Sequence, residues 1–351
     1  MFGRRAFAAL AVVAGAVAPS TALAGVGAYR ASDGSSDPAF VQIGSASTIQ
    51  SAVPDGAGGA FLLGSIAYGG SGHRIVHLRA NGSVDPAFRP QITGGYAEAG
   101  AVSGRALAIV GAFTAVDGQA RRGLAVLDAR TGRPLSWVPT RPLAARMDRG
   151  SRVVFAGGSL VASTRAGIFA WRVGSPAAVW KNSLVLATGP ASAAPVVVWG
   201  GSVWTLASRP RSDPRLVSLD PATGRVTPAA VGASHIDSIE QVGGRLVAFG
   251  DGNVTLVHGG ARSVSVPTCE RPIGLGGRLV AAVGGDARTL YLGLSPTTLD
   301  APGSVGGLMA CANTGQVPAF RPPALAYGIH GPVVDKVALI GTHVLVFTRR
   351  F

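Results

Sequence analysis

Short apolar runs rich in Val, Leu and Ile alternate along this chain with turns built on glycine. Nowhere does a long stretch carry apolar residues at helical spacing, so the pattern predicts strands. Seven times a tight glycine turn leads straight into such a run. The runs open at Gly59-Ala60-Phe61-Leu62, Gly104-Arg105-Ala106-Leu107, Gly150-Ser151-Arg152-Val153 and Gly201-Ser202-Val203-Trp204. They continue at Gly244-Arg245-Leu246-Val247, Gly277-Arg278-Leu279-Val280 and Gly341-Thr342-His343-Val344. Glycine there supplies the positive φ that a tight hairpin needs without a Cβ clash. The turns recur every roughly 47 residues, a period that several short strands per unit fill in a propeller blade.

The second unit shows the plan. Glu98–Val102 is a first strand, the Ser103-Gly104 turn follows, and Ala106–Ala112 is the second. A polar connection from Phe113 to Arg122 leads to Leu124–Asp128, the Thr131-Gly132 turn and Pro134–Val138. The chain ends on Val334–Ile340, Gly341 and Val344–Phe351, which read as first and second strands alone. Its early part, Val26–Arg30 to Asp37-Pro38-Ala39-Phe40, reads as third and fourth strands alone. Joining the two makes one composite blade from Val26–Phe40 and Val334–Phe351 and removes two exposed strand edges. The fold expected is therefore an all-β propeller over residues 25–351, with seven four-stranded blades. Six or eight blades are the alternatives, because Thr289–Leu294 adds an apolar run within Arg278–Pro323.

Residues 1–24 read as a secretory signal peptide. Arg4 and Arg5 precede the apolar run Ala6–Ala18, which is too short to span a bilayer, and Ala22-Leu23-Ala24 is a cleavage site. Export by the Sec or the twin-arginine route, to the cell envelope or the extracellular space, is the expectation. No membrane span and no lipid anchor are expected. In such a compartment Cys269 and Cys311, the only cysteines, form one disulfide, with two buried thiols as the alternative.

Asp37-Pro38-Ala39-Phe40 after Asp33-Gly34-Ser35 matches Asp85-Pro86-Ala87-Phe88 after Asn81-Gly82-Ser83. Together with Val110-Gly111-Ala112-Phe113-Thr114-Ala115-Val116-Asp117-Gly118-Gln119, these segments resemble the delta-60 repeat proteins, a domain-of-unknown-function propeller repeat of secreted bacterial proteins. The match covers residues 26–138. The resemblance implies a secreted propeller with no assigned activity, catalytic residue or cofactor. A second likeness is to pyrroloquinoline-quinone-type propeller repeats, carried by Leu127-Asp128-Ala129-Arg130-Thr131-Gly132 with Trp137 and by Leu219-Asp220-Pro221-Ala222-Thr223-Gly224. Its physical content is an Asp that caps a Thr-Gly turn.

The formal charge is +14, and Lys181 and Lys336 are the only lysines, so arginine carries the excess. Genome composition and an anionic partner both explain such an excess. In a propeller the first-to-second and third-to-fourth turns share one face, and here they are short. The other face is expected to gather long loops that carry Arg74, Arg121, Arg122, Arg165, Arg209, Arg211, Arg215 and Arg288. Loops on a rigid scaffold are where binding resides, and the planar arginine fork suits carboxylate or phosphate.

The motifs of catalysis are missing. His73 and His77 are four apart but enclose Arg-Ile-Val, so the zincin pattern fails and the pair reads as hydrogen-bonded strand histidines. The Asp-Gly pairs at Asp33, Asp55, Asp117 and Asp251 lack the acidic alternation of a calcium loop and read as turns. There is no P-loop and no nucleophile elbow. The final Phe351 suggests an outer-membrane barrel only until strand length is weighed. Glu98, Glu240 and Glu270, the only glutamates, lie in or beside expected innermost strands. The reading is a monomeric binding or scaffold module for an unknown protein or anionic polymer. It has no catalytic residue, metal, cofactor or specific nucleic acid. The alternative is an exported lyase, glycosidase or quinone-dependent dehydrogenase working at the central channel.

Overall fold

The computed structural model describes residues 26–137 (except 42, 45 and 46), 151–183 (except 165), 194–207, 215–229, 236, 238–250, 253–258 and 262–265. It further describes 278–296, 307–312, 315–316 and 333–349. Among these residues there is no helix, and seven larger antiparallel sheets follow one another along the chain, with one small sheet beside the second. Sheet 1 is Thr48–Pro54, Ala60–Tyr68 and Ser71–Leu78; sheet 2 is Ala97–Ser103, Ala106–Gly111 and Leu124–Asp128. Sheet 3 is Arg152–Ala156, Ser159–Thr164, Gly167–Arg172 and Ala178–Asn182. Sheet 4 is Val196–Trp199, Ser202–Ala207, Arg215–Leu219 and Val226–Pro228. Sheet 5 is Ser238–Val242, Arg245–Gly250, Asn253–His258 and Arg262–Ser265. Sheet 6 is Arg278–Gly285, Thr289–Pro296, Gly307–Ala312 and Gly315–Gln316.

Sheet 7 takes its strands from both ends of the described chain. Val333–Ile340 pairs with His343–Arg349, which pairs on its other edge with Val26–Arg30, so that Val26 faces Phe347 and Arg30 faces His343. Single bridges from Leu78 to Val84, Leu127 to Pro134 and Tyr29 to Ser36 supply a fourth edge to sheets 1, 2 and 7. The first strands lie side by side in chain order, each against the next, and the first strand of sheet 7 touches that of sheet 1.

The core is distributed between the sheets. Phe61, Leu63 and Ile75 of sheet 1 pack on Leu107, Ile109 and Leu127 of sheet 2. The same layering recurs at each interface through to Ile340, Leu345 and Phe347 of sheet 7 on Leu62, Ile66 and Val76 of sheet 1. Alternate residues of one strand thus bury on opposite neighbours, which is why the runs read as continuously apolar. Closest approach needs glycine at one of these contacts: a Cβ on Gly284, in the first strand of sheet 6, would collide with the Val337 carbonyl of sheet 7. The first strands of sheets 1, 2, 6 and 7 also each break register near their starts, between Ile49 and Ser51, Ala97 and Ala99, Val280 and Ala282, and Val334 and Lys336. Such bulges sharpen local twist.

Two expectations change. The Gly277 turn does not open a second strand: Arg278–Gly285 is the first strand of sheet 6, and Asp286–Arg288 is its first-to-second turn. Arg288 therefore moves to the short-turn side. The second-to-third connections are not uniformly long either. Tyr68 pairs with Ser71, Thr164 with Gly167 and Gly250 with Asn253, so three of them are tight hairpins. In sheet 2 the connection does extend. It forms the hairpin Ala115–Val116 and Gln119–Ala120, paired with Ile92–Thr93 in a small separate sheet. Asp117 at its tip is the one described non-glycine residue with positive φ.

Candidate functional site

Of the eight candidate arginines, Arg74, Arg122 and Arg215 are exposed and carry no ion pair among the described residues. Arg165, Arg209 and Arg211 lie outside the described residues, as do the signal segment, Cys269, Glu270 and Asp251. Arg121 is 6% exposed. Its guanidinium donates to the Ala120 carbonyl (2.9 Å), Gln119 Oε1 (2.9 Å) and the Leu135 carbonyl (2.8 Å), and burial lowers its pKa. It braces the extended hairpin of sheet 2 and offers little to a ligand. The sequence carries no sign of this, since Arg121 and Arg122 are adjacent and alike. Further arginines without an ion pair among the described residues, Arg130, Arg133, Arg172 and Arg225, stand on the short-turn side, so this charge spans both faces.

The short-turn side is where aspartates and histidines meet. His77 lies between two carboxylates, with Nε2 2.9 Å from Asp55 Oδ2 and Nδ1 3.2 Å from Asp85 Oδ2. Arg79 reaches Asp85 Oδ1 at 2.8 Å, and Phe61 stacks on the imidazole at 4.4 Å. The other Asp-Pro-Ala-Phe copy builds a matching contact: His343 Nε2 is 3.2 Å from Asp37 Oδ2 and Phe40 stacks on the ring at 3.7 Å. The repeated tetrapeptide therefore supplies a carboxylate to one histidine in each copy, while the stacked ring is its own Phe40 in one and Phe61 of the neighbouring strand in the other. His77 fits the structural reading made for it, whereas His343 escaped notice; the signal available was the second copy of the tetrapeptide.

The Thr-Gly turns behave as read. Asp128 Oδ1 accepts from the Arg130 and Thr131 amides at 3.0 Å, and Asp220 Oδ1 from the Ala222 and Thr223 amides at 3.0 and 2.8 Å. Trp137 Nε1–H donates to the Ser175 carbonyl of sheet 3 (2.7 Å) and Trp180 Nε1–H to the Pro221 carbonyl of sheet 4 (3.0 Å). Each tryptophan pins its own sheet to a turn of the next.

These contacts predict an acid response. Burial raises the Asp55 and Asp85 carboxyls, but hydrogen bonds from His77, neighbouring amides and, at Asp85, Arg79 outweigh it and hold both below the ordinary value. At Asp37 the hydrogen bond from His343 is the largest influence and also lowers it. A carboxyl depressed in the folded state stabilises above its unfolded pKa of about 3.9, and that stability is lost as pH falls through the folded value. The midpoint of thermal unfolding is expected to fall steeply below about pH 4, and the slope to shrink in Asp55→Asn with Asp85→Asn. Melts followed by circular dichroism check this; a flat parental profile would contradict it.

On the innermost strands Glu240 of sheet 5 and Lys336 of sheet 7 pair at 3.2 Å, reaching past sheet 6. Glu98 lies on the first strand of sheet 2, as read, and is buried. No group of three or more metal-ligating side chains occurs among the described residues. No described helix is long and apolar enough to cross a membrane.

No family model matches the chain, and no curated protein does. Solved structures do. A β-propeller domain of Cps50 (Swd1) from Myceliophteria thermophila superposes with a TM-score of 0.53 at 9% identity, over 85% of this chain and 95% of that one. The fold is propeller-like. The extracellular domain of BT4673 from B. thetaiotaomicron, described as a hybrid two component system, matches with a TM-score of 0.52 and 11% identity. That match covers 88% of this chain but 38% of the other, so the chain spans well under half of its length. At these identities the likeness speaks for the propeller-like fold alone.

Proposed function

We propose that the chain is an exported, monomeric seven-bladed propeller whose last blade is sheet 7, acting as a binding or scaffold module for an anionic polymer of the envelope or extracellular space. Seven sheets in chain order, one buried layer between each neighbouring pair, and the contact of sheet 7 with sheet 1 support the blade count. The signal-like segment supports export. Within this reading Cys269 bridges to Cys311, which is buried next to its pairing with Gln316.

The observation that carries the ligand class is the set of exposed arginines without ion pairs, Arg74, Arg122 and Arg215, on a chain of formal charge +14. Unpaired surface charge attracts polyanions, and salt screens the attraction over a Debye length of about 8 Å at physiological ionic strength. Retention on immobilised heparin is expected to fall with salt, and Arg74→Ser, Arg122→Ser and Arg215→Ser together to elute at clearly lower salt than the parent. Identical elution, or retention insensitive to salt, would remove the polymer from the proposal. The competing reading, an enzyme at the channel, draws on Glu98 and Glu240; Glu240 already pairs with Lys336.

A further inference from the structure

We propose that a cleft between sheets 6 and 7, on the short-turn side, binds an acidic sugar residue: a polyhydroxy carboxylate of the uronic-acid type. The cleft has a volume of 400 Å³ and is lined by Arg30, Asp286, Tyr291, Leu339, Thr342 and His343. Pockets for small ligands fall between roughly 300 and 1,000 Å³, so one sugar residue fits with room for the start of a chain.

Its walls are held before any ligand arrives. His343 is 8% exposed and fixed from both ring nitrogens, by Asp37 at 3.2 Å and Thr342 Oγ1 at 3.2 Å, with Phe40 stacked on its face. Tyr291 is 4% exposed, and its hydroxyl donates to the Ala31 carbonyl at 3.3 Å. Asp286 sits in the turn of sheet 6, its Oδ1 accepting from the Arg288 and Thr289 amides at 2.7 and 2.8 Å. A preorganised wall spares the ligand the cost of ordering it.

The charges choose the ligand class. Arg30 is the one arginine among the residues lining the cleft, and its guanidinium favours an anionic group. Arg30 gives Nη2 to Asp37 at 3.2 Å, and its side chain is 56% exposed, so the rest of the fork faces solvent and suits a carboxylate. Asp286 is exposed and its Oδ2 has no partner among the described residues, so it is open to a hydroxyl donor from the ligand. Leu339, half-buried at the cleft, supplies an apolar wall on which the C–H face of a sugar ring packs. This site shares with the polymer reading only the sign of the ligand's charge.

Titration calorimetry of the mature protein with D-glucuronate, D-glucose and an oligogalacturonate tests it. Glucuronate is expected to bind, with glucose and the Arg30→Gln variant each weaker by at least about tenfold, the loss of one charge-assisted contact. Arg30 is exposed, so the variant should melt like the parent; Thr342→Val, also exposed, is expected to weaken glucuronate as a second check. An oligogalacturonate that competes with glucuronate identifies a polymer end as the source, and one that does not identifies the free sugar. The Arg74, Arg122 and Arg215 variant is expected to keep parental glucuronate binding whatever its heparin retention, so the two readings fail separately. No heat with glucuronate, equal affinity for glucose, or parental affinity in Arg30→Gln would overturn the site.

Discussion

Deleting residues 344–351 is expected to abolish cooperative unfolding and drive the protein into aggregates. The strand they remove, His343–Arg349, is hydrogen-bonded on both edges, to Val333–Ile340 and to Val26–Arg30. Val344, Leu345, Val346 and Phe347 are all at most 1% exposed. Burying such side chains is worth about 1.5–3 kcal/mol each, so their joint loss rivals the whole stability of a typical domain. The deletion also bares two strand edges at once, which templates pairing between molecules. Circular-dichroism melts and light scattering read both effects. A truncated protein that melts like the parent would show that sheet 7 does not hold the ends of the propeller together.

The second large effect is expected at Gly82. It is buried with φ at +78°, and a Cβ built there would collide with the carbonyl oxygen of Phe40, backbone that cannot rotate away. Phe40 in turn stacks on His343, so the displacement would spread from sheet 1 into sheet 7. Gly82→Val combines a left-handed backbone cost of about 1–3 kcal/mol with that collision, and a loss of about 4 kcal/mol is expected. Gly118→Ala separates the two causes. Its φ is +74°, yet nothing lies within 4 Å of the new Cβ, so it should lose only about 1 kcal/mol. Urea denaturation of both variants measures the difference; equal losses would mean that the Phe40 contact yields easily.

The repeat was legible because tight turns leave a mark that packing cannot disguise. Gly104, Gly201, Gly244 and Gly341 all sit in turns between first and second strands, and the partnership of Val26–Arg30 with the last strand followed from counting the strands each end lacks. Glu98 and Glu240 stand on innermost strands as read. What a short apolar run does not carry is its rank within a sheet. Gly-Gly-Arg-Leu-Val occurs at 243–247 and again at 276–280; the first is a turn into a second strand, and the second leads into a first strand. The same string has two topological meanings, decided only by what packs on it, and Arg288 changed faces as a result. Arg121 failed for a related reason. An arginine in a polar connection looks solvated, and only the fold of the Gln119–Ala120 hairpin turns it inward to three oxygen acceptors.

Sheet 7 also sets an order of events. Its strand Val26–Arg30 is synthesised before any other described strand and pairs with His343–Arg349, synthesised after all of them. Contacts so distant in sequence form late, after the cost of closing the long intervening loop has been met. Until the ribosome has released residue 349, the opening strand waits without its partner and sheet 7 stays incomplete. Under the proposal that the protein is exported, that delay favours threading through a pore before folding. The topology itself leaves sheet 7 unfinished until the last strand emerges.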